Sequence, residues 1–211
     1  MHLSDVKICA VTKGHSVLEV EDLLKLRPDI KIIGENRWPD CEEKFKYFKE
    51  LERHFIGPLQ GNKVRKVLPL VDVIQSVDSE KLMLKIDDVA LETEHPVKFC
   101  IQVNVSDDPA KHGVRSEELE VLIQKYLAAN FRNITLIGLM TIGAQSPVES
   151  RAKYFAKFKK IFDHVNETYF KQSPLTVLSM GMSEDYKIAV KEGSTMIRLG
   201  RVLFCPLVDN C

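Results

Sequence analysis

Val6-Lys7-Ile8-Cys9-Ala10-Val11-Thr12-Lys13-Gly14 is an apolar run that ends in a polar turn. Val6–Thr12 is short and almost continuously apolar, as a strand buried on both faces should be. The next segment, Val17–Leu26 (VLEVEDLLKL), changes to a helical period. A strand that needs cover on both faces, followed at once by an amphipathic helix, is half of a β–α–β unit.

The unit recurs outward along the chain. Further apolar runs lie at Ile30–Gly34, His54–Gly57, Val71–Val77, Val97–Val105, Ile134–Ile142, Thr176–Met180 and Thr195–Leu199. Amphipathic stretches separate them at Asp40–Leu51, Asn62–Leu68, Glu80–Glu92, Ser116–Ala129, Pro147–Phe170 and Ser183–Lys191. Ser116, followed by Glu117 and Glu118, reads as a helix cap. The stripe Tyr154, Phe155, Phe158, Ile161, Phe162 and Val165 reads as helix-to-barrel packing. Strand then helix, seven times and closed by an eighth strand, predicts a (β/α)8 TIM-type barrel. A doubly wound open sheet is the alternative. No Gly/Ser linker or composition break divides the chain, so residues 1–211 are expected to form a single domain.

Composition narrows the function classes. Thirty basic side chains balance thirty acidic ones, so no net basic field attracts nucleic acid or an anionic membrane. No apolar run approaches the roughly 18 residues of a membrane span. The first residues carry no signal-peptide pattern, and the expected location is the cytoplasm. Cys9, Cys41, Cys100, Cys205 and Cys211 are odd in number and widely spaced. They predict a reducing compartment, no disulfide framework and no cysteine metal site. The six histidines show no ligand spacing, and no metal is expected.

In a parallel barrel, functional groups gather at the C-terminal ends of the strands. Those ends carry Lys13, Glu35-Asn36, Gly57–Gln60, Ser76, Asn104, Met140-Thr141, Ser179–Ser183 and Arg198–Arg201. An amine at the end of a buried strand is expected to be partly desolvated, and a neutral amine can form a Schiff base with a carbonyl. Gly181 and Gly200 each lead into a helix start, where exposed N–H groups suit a phosphate. An aldehyde partner at one strand end and a phosphate seat at strands seven and eight point to pyridoxal 5′-phosphate (PLP). Other phosphorylated aldehydes or sugars remain open on these residues alone. Arg198 has two readings. Beside a pyridine nitrogen it would keep that nitrogen unprotonated, because arginine does not give up its proton. The other reading is a structural salt bridge in the barrel mouth.

Six segments carry a resemblance. They are Ala10–Lys13, Gly34–Asn36, His54–Lys63, Gly138–Ile142, Leu178–Ser183 and Ile197–Gly200. In this order they resemble the PLP homeostasis protein family, single-domain relatives of the alanine racemase N-terminal barrel. The resemblance implies a fold-type III PLP-binding barrel with Lys13 carrying the cofactor as a Schiff base. It implies that Asn36 and Met140 line the ring, and that Ser179, with backbone groups around Gly181, Gly200 and Arg201, binds the phosphate. It also implies that Arg198 lies near the pyridine nitrogen. His54 reads as the structural start of its strand, and Lys111 as a loop lysine at the mouth. Departures from the family are the lack of its usual N-terminal helical segment, Gly14-His15-Ser16 after the lysine, Arg37-Trp38-Pro39 after Asn36, and Cys205-Pro206 near the end.

The implied function is intracellular PLP homeostasis, most simply without turnover, with PLP-dependent apoenzymes as acceptors and a monomeric protein. The alternative is a PLP-dependent amino-acid racemase. Racemisation needs acid–base groups on both faces of the substrate carbon. The tyrosines fall in helical segments and none is expected at a strand end.

Overall fold

The computed structural model describes residues 6–106, 111–143 and 148–205. Its barrel strands are β1 (Lys7–Val11), β2 (Ile32–Glu35), β3 (Glu52–Phe55), β4 (Val73–Val77), β5 (Val97–Asn104), β6 (Ile134–Met140), β7 (Val177–Ser179) and β8 (Met196–Leu199). All pair in parallel. The sheet closes on itself because β4 pairs with β5 (Val73 opposite Lys98) and β1 with β8 (Cys9 opposite Arg198). A two-residue strand, Val114–Arg115, adds to the end of β5. The expected (β/α)8 barrel is therefore the observed one.

The helices are α1 (Val17–Leu26), α2 (Asp40–Tyr47), α3 (Val64–Val67), α4 (Glu80–Glu92), α5 (Leu119–Ala129), α6 (Val148–Tyr169), α7 (Tyr186–Lys191) and α8 (Arg201–Phe204). Their apolar faces and the outward strand residues form the larger core, in which Phe45, Phe99, Phe155 and Phe158 are fully buried. Inside the barrel the packing is of another kind. Cys9, Ile32, Cys100, Met140, Val177 and Met196 make a small apolar cluster, and His54, Gln75, Gln102, Ser179 and Arg198 are buried beside it or above it. Burial pushes the Cys9 thiol up to about 12 and raises Cys100 as well, so both are inert core groups.

Several expectations are corrected. Strand three begins at Glu52, so His54 lies inside it. Its first residues are charged, and they are held because Arg53 donates through Nε and Nη2 to Asp72 at 2.9 and 2.8 Å. Ser116 is not a cap: residues Ser116–Glu118 form a 3-10 turn, and the buried Ser116 hydroxyl has no hydrogen-bond partner among the described residues. The true capping box stands at α1, where Ser16 Oγ accepts from Glu19 N and Glu19 Oε2 accepts from Ser16 N. Donation to the carboxylate from Ser16 N, and then from Ser16 Oγ and His15, holds the Glu19 carboxyl down to about 2. Cys205 is disulfide-bonded, against the expectation of no disulfide; its partner lies outside the described residues. Cys211, Pro147 and the first five residues also lie outside them. Among the described residues no helix is long and apolar enough to cross a membrane.

Candidate functional site at the barrel mouth

β1 ends its ladder with Val11 opposite Gly34, and Thr12 N still donates to Gly34 O at 3.1 Å. The chain then leaves the sheet. Lys13 and Gly14 form a turn in which Gly14 takes φ +79°, a conformation that L side chains avoid. Lys13 is exposed, so the expected desolvation of its amine is not met. It stands in the turn beyond the last ladder residue, Val11.

The turn docks on the far end of the sequence. His15 stacks on Phe204 of α8, with ring centroids 3.7 Å apart. Gly200, at the end of β8, faces Val11: an added Cβ would sit 3.4 Å from Val11 O. Lys13 and the Gly200 loop are therefore neighbours across the β1–β8 seam, as expected from barrel closure. Around that loop, Gly200 N and Val202 N donate to Ser183 Oγ at 3.3 and 3.4 Å. Two backbone donors converge on one hydroxyl. Ser183 closes the Leu178–Ser183 motif, yet its convergence with the Gly200 loop was not foreseen. Gly181 is buried at φ +95°. Arg201 turns its side chain outward to Glu184, at 2.6 Å, which leaves its backbone as its contribution to the loop.

Below the mouth Arg198 is 4% exposed. Its Nη1 donates to Ser179 Oγ at 2.7 Å and its Nη2 to Thr141 O at 2.8 Å. Burial holds the guanidinium below its ordinary value. The structural-salt-bridge reading does not hold among the described residues: both acceptors are neutral. Ser179 in turn donates to Gln75 Oε1 at 2.7 Å, and Gln75 Nε2 donates to His54 Nδ1 at 2.6 Å. The amide nitrogen only donates, so the ring proton sits on Nε2, which reaches Glu52 Oε1 at 2.9 Å. Ser179 thus faces the barrel interior with its proton committed to Gln75.

Met140 is fully buried at the end of β6, and Asn36 is half-buried at the end of β2. Gly57 must be glycine there, because a Cβ would lie 2.1 Å from Asn36 O. Ser76, near the end of β4, is 2% exposed, and its hydroxyl has no hydrogen-bond partner among the described residues. Tyr154 corrects the tyrosine expectation. It belongs to α6, but its hydroxyl lies 2.6 Å from Thr141 Oγ1 and donates to Ile142 O at 3.0 Å, at the rim. Lys111 sits in the loop after β5, with Nζ 3.4 Å from Ser106 Oγ. Among the described residues no cluster of three or more His, Cys, Asp or Glu side chains could hold a metal ion.

The structure is a closed parallel barrel with a lysine just past its first strand and a guanidinium buried under its mouth. The family model described as "Alanine racemase, N-terminal domain" matches residues 1–207. The chain is 33% identical over 204 residues to the pyridoxal phosphate homeostasis protein of Haemophilus influenzae, covering 94% of this chain and 84% of that one. It is 36% identical over 179 residues to the protein of the same name from Aquifex aeolicus, covering 83% and 76%. Among solved structures, PipY of Synechococcus elongatus superposes with a TM-score of 0.86 without PLP, at 31% identity over 95% of this chain and 93% of that one. With PLP bound, PipY gives 0.85 at 30% identity, over 97% and 94%. Alanine racemase of Clostridium difficile, at 20% identity and TM-score 0.77, shares the fold. The chain belongs to the pyridoxal phosphate homeostasis protein family, within the alanine racemase N-terminal domain fold.

Proposed function

We propose that residues 1–211 act as one PLP-binding barrel domain in the cytoplasm. In this reading the protein holds PLP through Lys13 and serves PLP homeostasis without turnover. Bound PLP supplies an aldehyde for the Lys13 amine and a phosphate for the backbone donors. The observation that carries the reading is the docking of the Lys13 turn on the Gly200 loop through His15 and Phe204. It brings an amine and converging N–H donors to one seam of the barrel. A second feature that suits a polar ligand is the buried Ser76 hydroxyl near the end of β4, which has no hydrogen-bond partner among the described residues.

Gly200, Arg201 and Val202 backbone groups, with Gly181 shaping the adjacent loop, would seat the phosphate. We place the hydroxyl contact at Ser183, which already sits among these donors, with Ser179 acting indirectly by holding Arg198. Asn36 and Met140 would flank the ring, and Arg198 would face its nitrogen. Relatives named pyridoxal phosphate homeostasis protein and a PLP-bound PipY support the cofactor. The protein would work as a monomer and deliver PLP to apoenzymes.

Absence of turnover is supported by the state of Tyr154. Its hydroxyl reaches the rim but is held by Thr141 and Ile142, so it is not poised as the opposing acid of a racemase. The test is the absorbance of the protein with PLP, wild type beside Lys13→Ala, with borohydride reduction and peptide mass spectrometry. The expected result is a visible band lost in the variant and an adduct mapped to Lys13, while the variant keeps its folded circular dichroism. No band in the wild type would sink the cofactor reading. Robust conversion of L-alanine to D-alanine would sink the carrier reading.

A further inference from the structure

Behind the Lys13 turn lies a buried ion pair that the site described above does not use. Glu35, the last residue of β2, is 0% exposed, and Lys44, on α2, is 7% exposed. Lys44 Nζ donates to Glu35 Oε1 and, at 2.7 Å, to Thr12 O. Thr12 Oγ1 donates to the same Glu35 oxygen at 2.7 Å. Thr12 is itself fully buried and immediately precedes Lys13. Its carbonyl and its hydroxyl are thus both gripped by the pair. His15 N also donates to Thr12 O, at 3.1 Å, which closes the turn around Lys13.

Stability does not explain this cluster. A buried ion pair loses solvation on both charges, and apolar side chains of similar volume often do as well or better. Among the described residues Glu35 Oε2 has no hydrogen-bond partner, which adds to the cost. What the pair does supply is geometry. Beyond Thr12 N the β1 ladder gives the chain no further hold, and Lys13 stands at a glycine turn open to solvent.

We infer that Glu35 and Lys44 are positioning residues for Lys13: by clamping both oxygens of Thr12 they fix where the reactive amine leaves the barrel. The inference rests on the proposed attachment of PLP to Lys13. Displacing a reacting group by about 1 Å can cost on the order of 10²-fold in rate. The clamp holds the Lys13 turn directly and meets the phosphate donors, which belong to the β7 and β8 loops, only through the His15–Phe204 contact. Loosening it therefore separates two quantities that a general structural defect would move together.

The experiment uses the double variant Glu35→Gln/Lys44→Met, which removes both charges at once, beside Thr12→Val and its conservative partner Thr12→Ser. Three readouts are compared with wild type. The first is the rate of borohydride-trapped PLP adduct at Lys13, by peptide mass spectrometry. The second is the affinity for pyridoxine 5′-phosphate, which carries the phosphate but no aldehyde. The third, without any cofactor, is hydrogen exchange of the backbone amides of residues 12–15.

The expected result is an adduct rate lowered at least about tenfold, pyridoxine 5′-phosphate affinity within about twofold of wild type, and faster exchange in the turn. Thr12→Ser should restore most of the rate. If the double variant does not fold, Thr12→Val decides alone. An adduct rate unchanged in folded variants, with wild type labelled at Lys13, overturns the inference and leaves the proposed function standing. An equal loss of pyridoxine 5′-phosphate binding also overturns it, because the cluster would then shape the whole mouth. Wild type that binds PLP without an adduct at Lys13 overturns the proposed attachment and the inference with it.

Discussion

Arg198 and Lys44 are both buried cations under the same rim, and they are held in opposite ways. Lys44 is matched by a carboxylate, Glu35, and a carbonyl, Thr12 O. Arg198 has neutral acceptors, Ser179 Oγ and Thr141 O, while Asp185 acts on it through space without a hydrogen bond among those described. The ammonium's charge is neutralised where it stands, so its effect is confined to geometry. The guanidinium is hydrogen-bonded only to neutral groups among the described residues, in a buried setting where its charge is weakly screened. One cation is paired within the wall, and the other lies under the mouth with neutral hydrogen-bond partners.

The comparison can be broken by substitution. Lys44→Met should have the largest effect on stability, because it leaves Glu35 buried and uncompensated. A loss of about 3–5 kcal/mol is expected in urea unfolding. Arg198→Met removes a cation whose partners are neutral, and should cost about 1–3 kcal/mol while weakening PLP binding. If Arg198→Met proves the more destabilising of the two, the contrast fails. The smallest effect belongs to Glu52→Gln, at the far end of the Arg198 chain. The His54 bond holds the Glu52 carboxyl below its ordinary 4.5. A carboxyl depressed in the folded state contributes stability that is present above the unfolded value and lost as pH falls through the folded one. The gap between wild type and Glu52→Gln should therefore be fully open at neutral pH and close in acid below about 4.5. A gap independent of pH would mean that the carboxylate charge plays no part in anchoring the chain.

Much of the fold was legible because burial on both faces leaves a plain mark. The runs Val71–Val77 and Ile134–Ile142 read as interior strands and contain the observed Val73–Val77 and Ile134–Met140, and α1 and α4 have the bounds their periodicity gives. β3 was legible only from His54 onward, since its first residues are charged and are stabilised by Asp72, nineteen positions later. The helix caps show how a local signal is won or lost. Ser16 has a glutamate three residues on and forms a capping box, whereas Ser116 has leucine there and does not.

The site was legible as a set of strand ends and illegible as a set of contacts. Lys13, Asn36, Met140, Arg198 and Gly200 reach the mouth or lie beneath it because the barrel places every strand end there. Ser183 takes its place through the Gly200 loop, a partner seventeen residues away. Tyr154 looked like a packing residue because its spacing is helical. It is that, and its hydroxyl still arrives at Thr141, since α6 leans on the end of β6.

By itself the sequence determined the repeating unit, the count of eight strands and the identity of the groups at the rim, while closure rests on the β4–β5 and β1–β8 pairings. Hydrophobic period and strand count are local quantities that need no partner to be read. Tertiary structure alone decided that Lys13 is exposed, that Ser179 faces inward and that Lys44, in a charged run on α2, is buried against Glu35. Those outcomes depend on register across the β1–β2 and β7–β8 pairs and on how α2 lies over the sheet. A side chain's solvation and hydrogen-bond partners are fixed only when the elements meet.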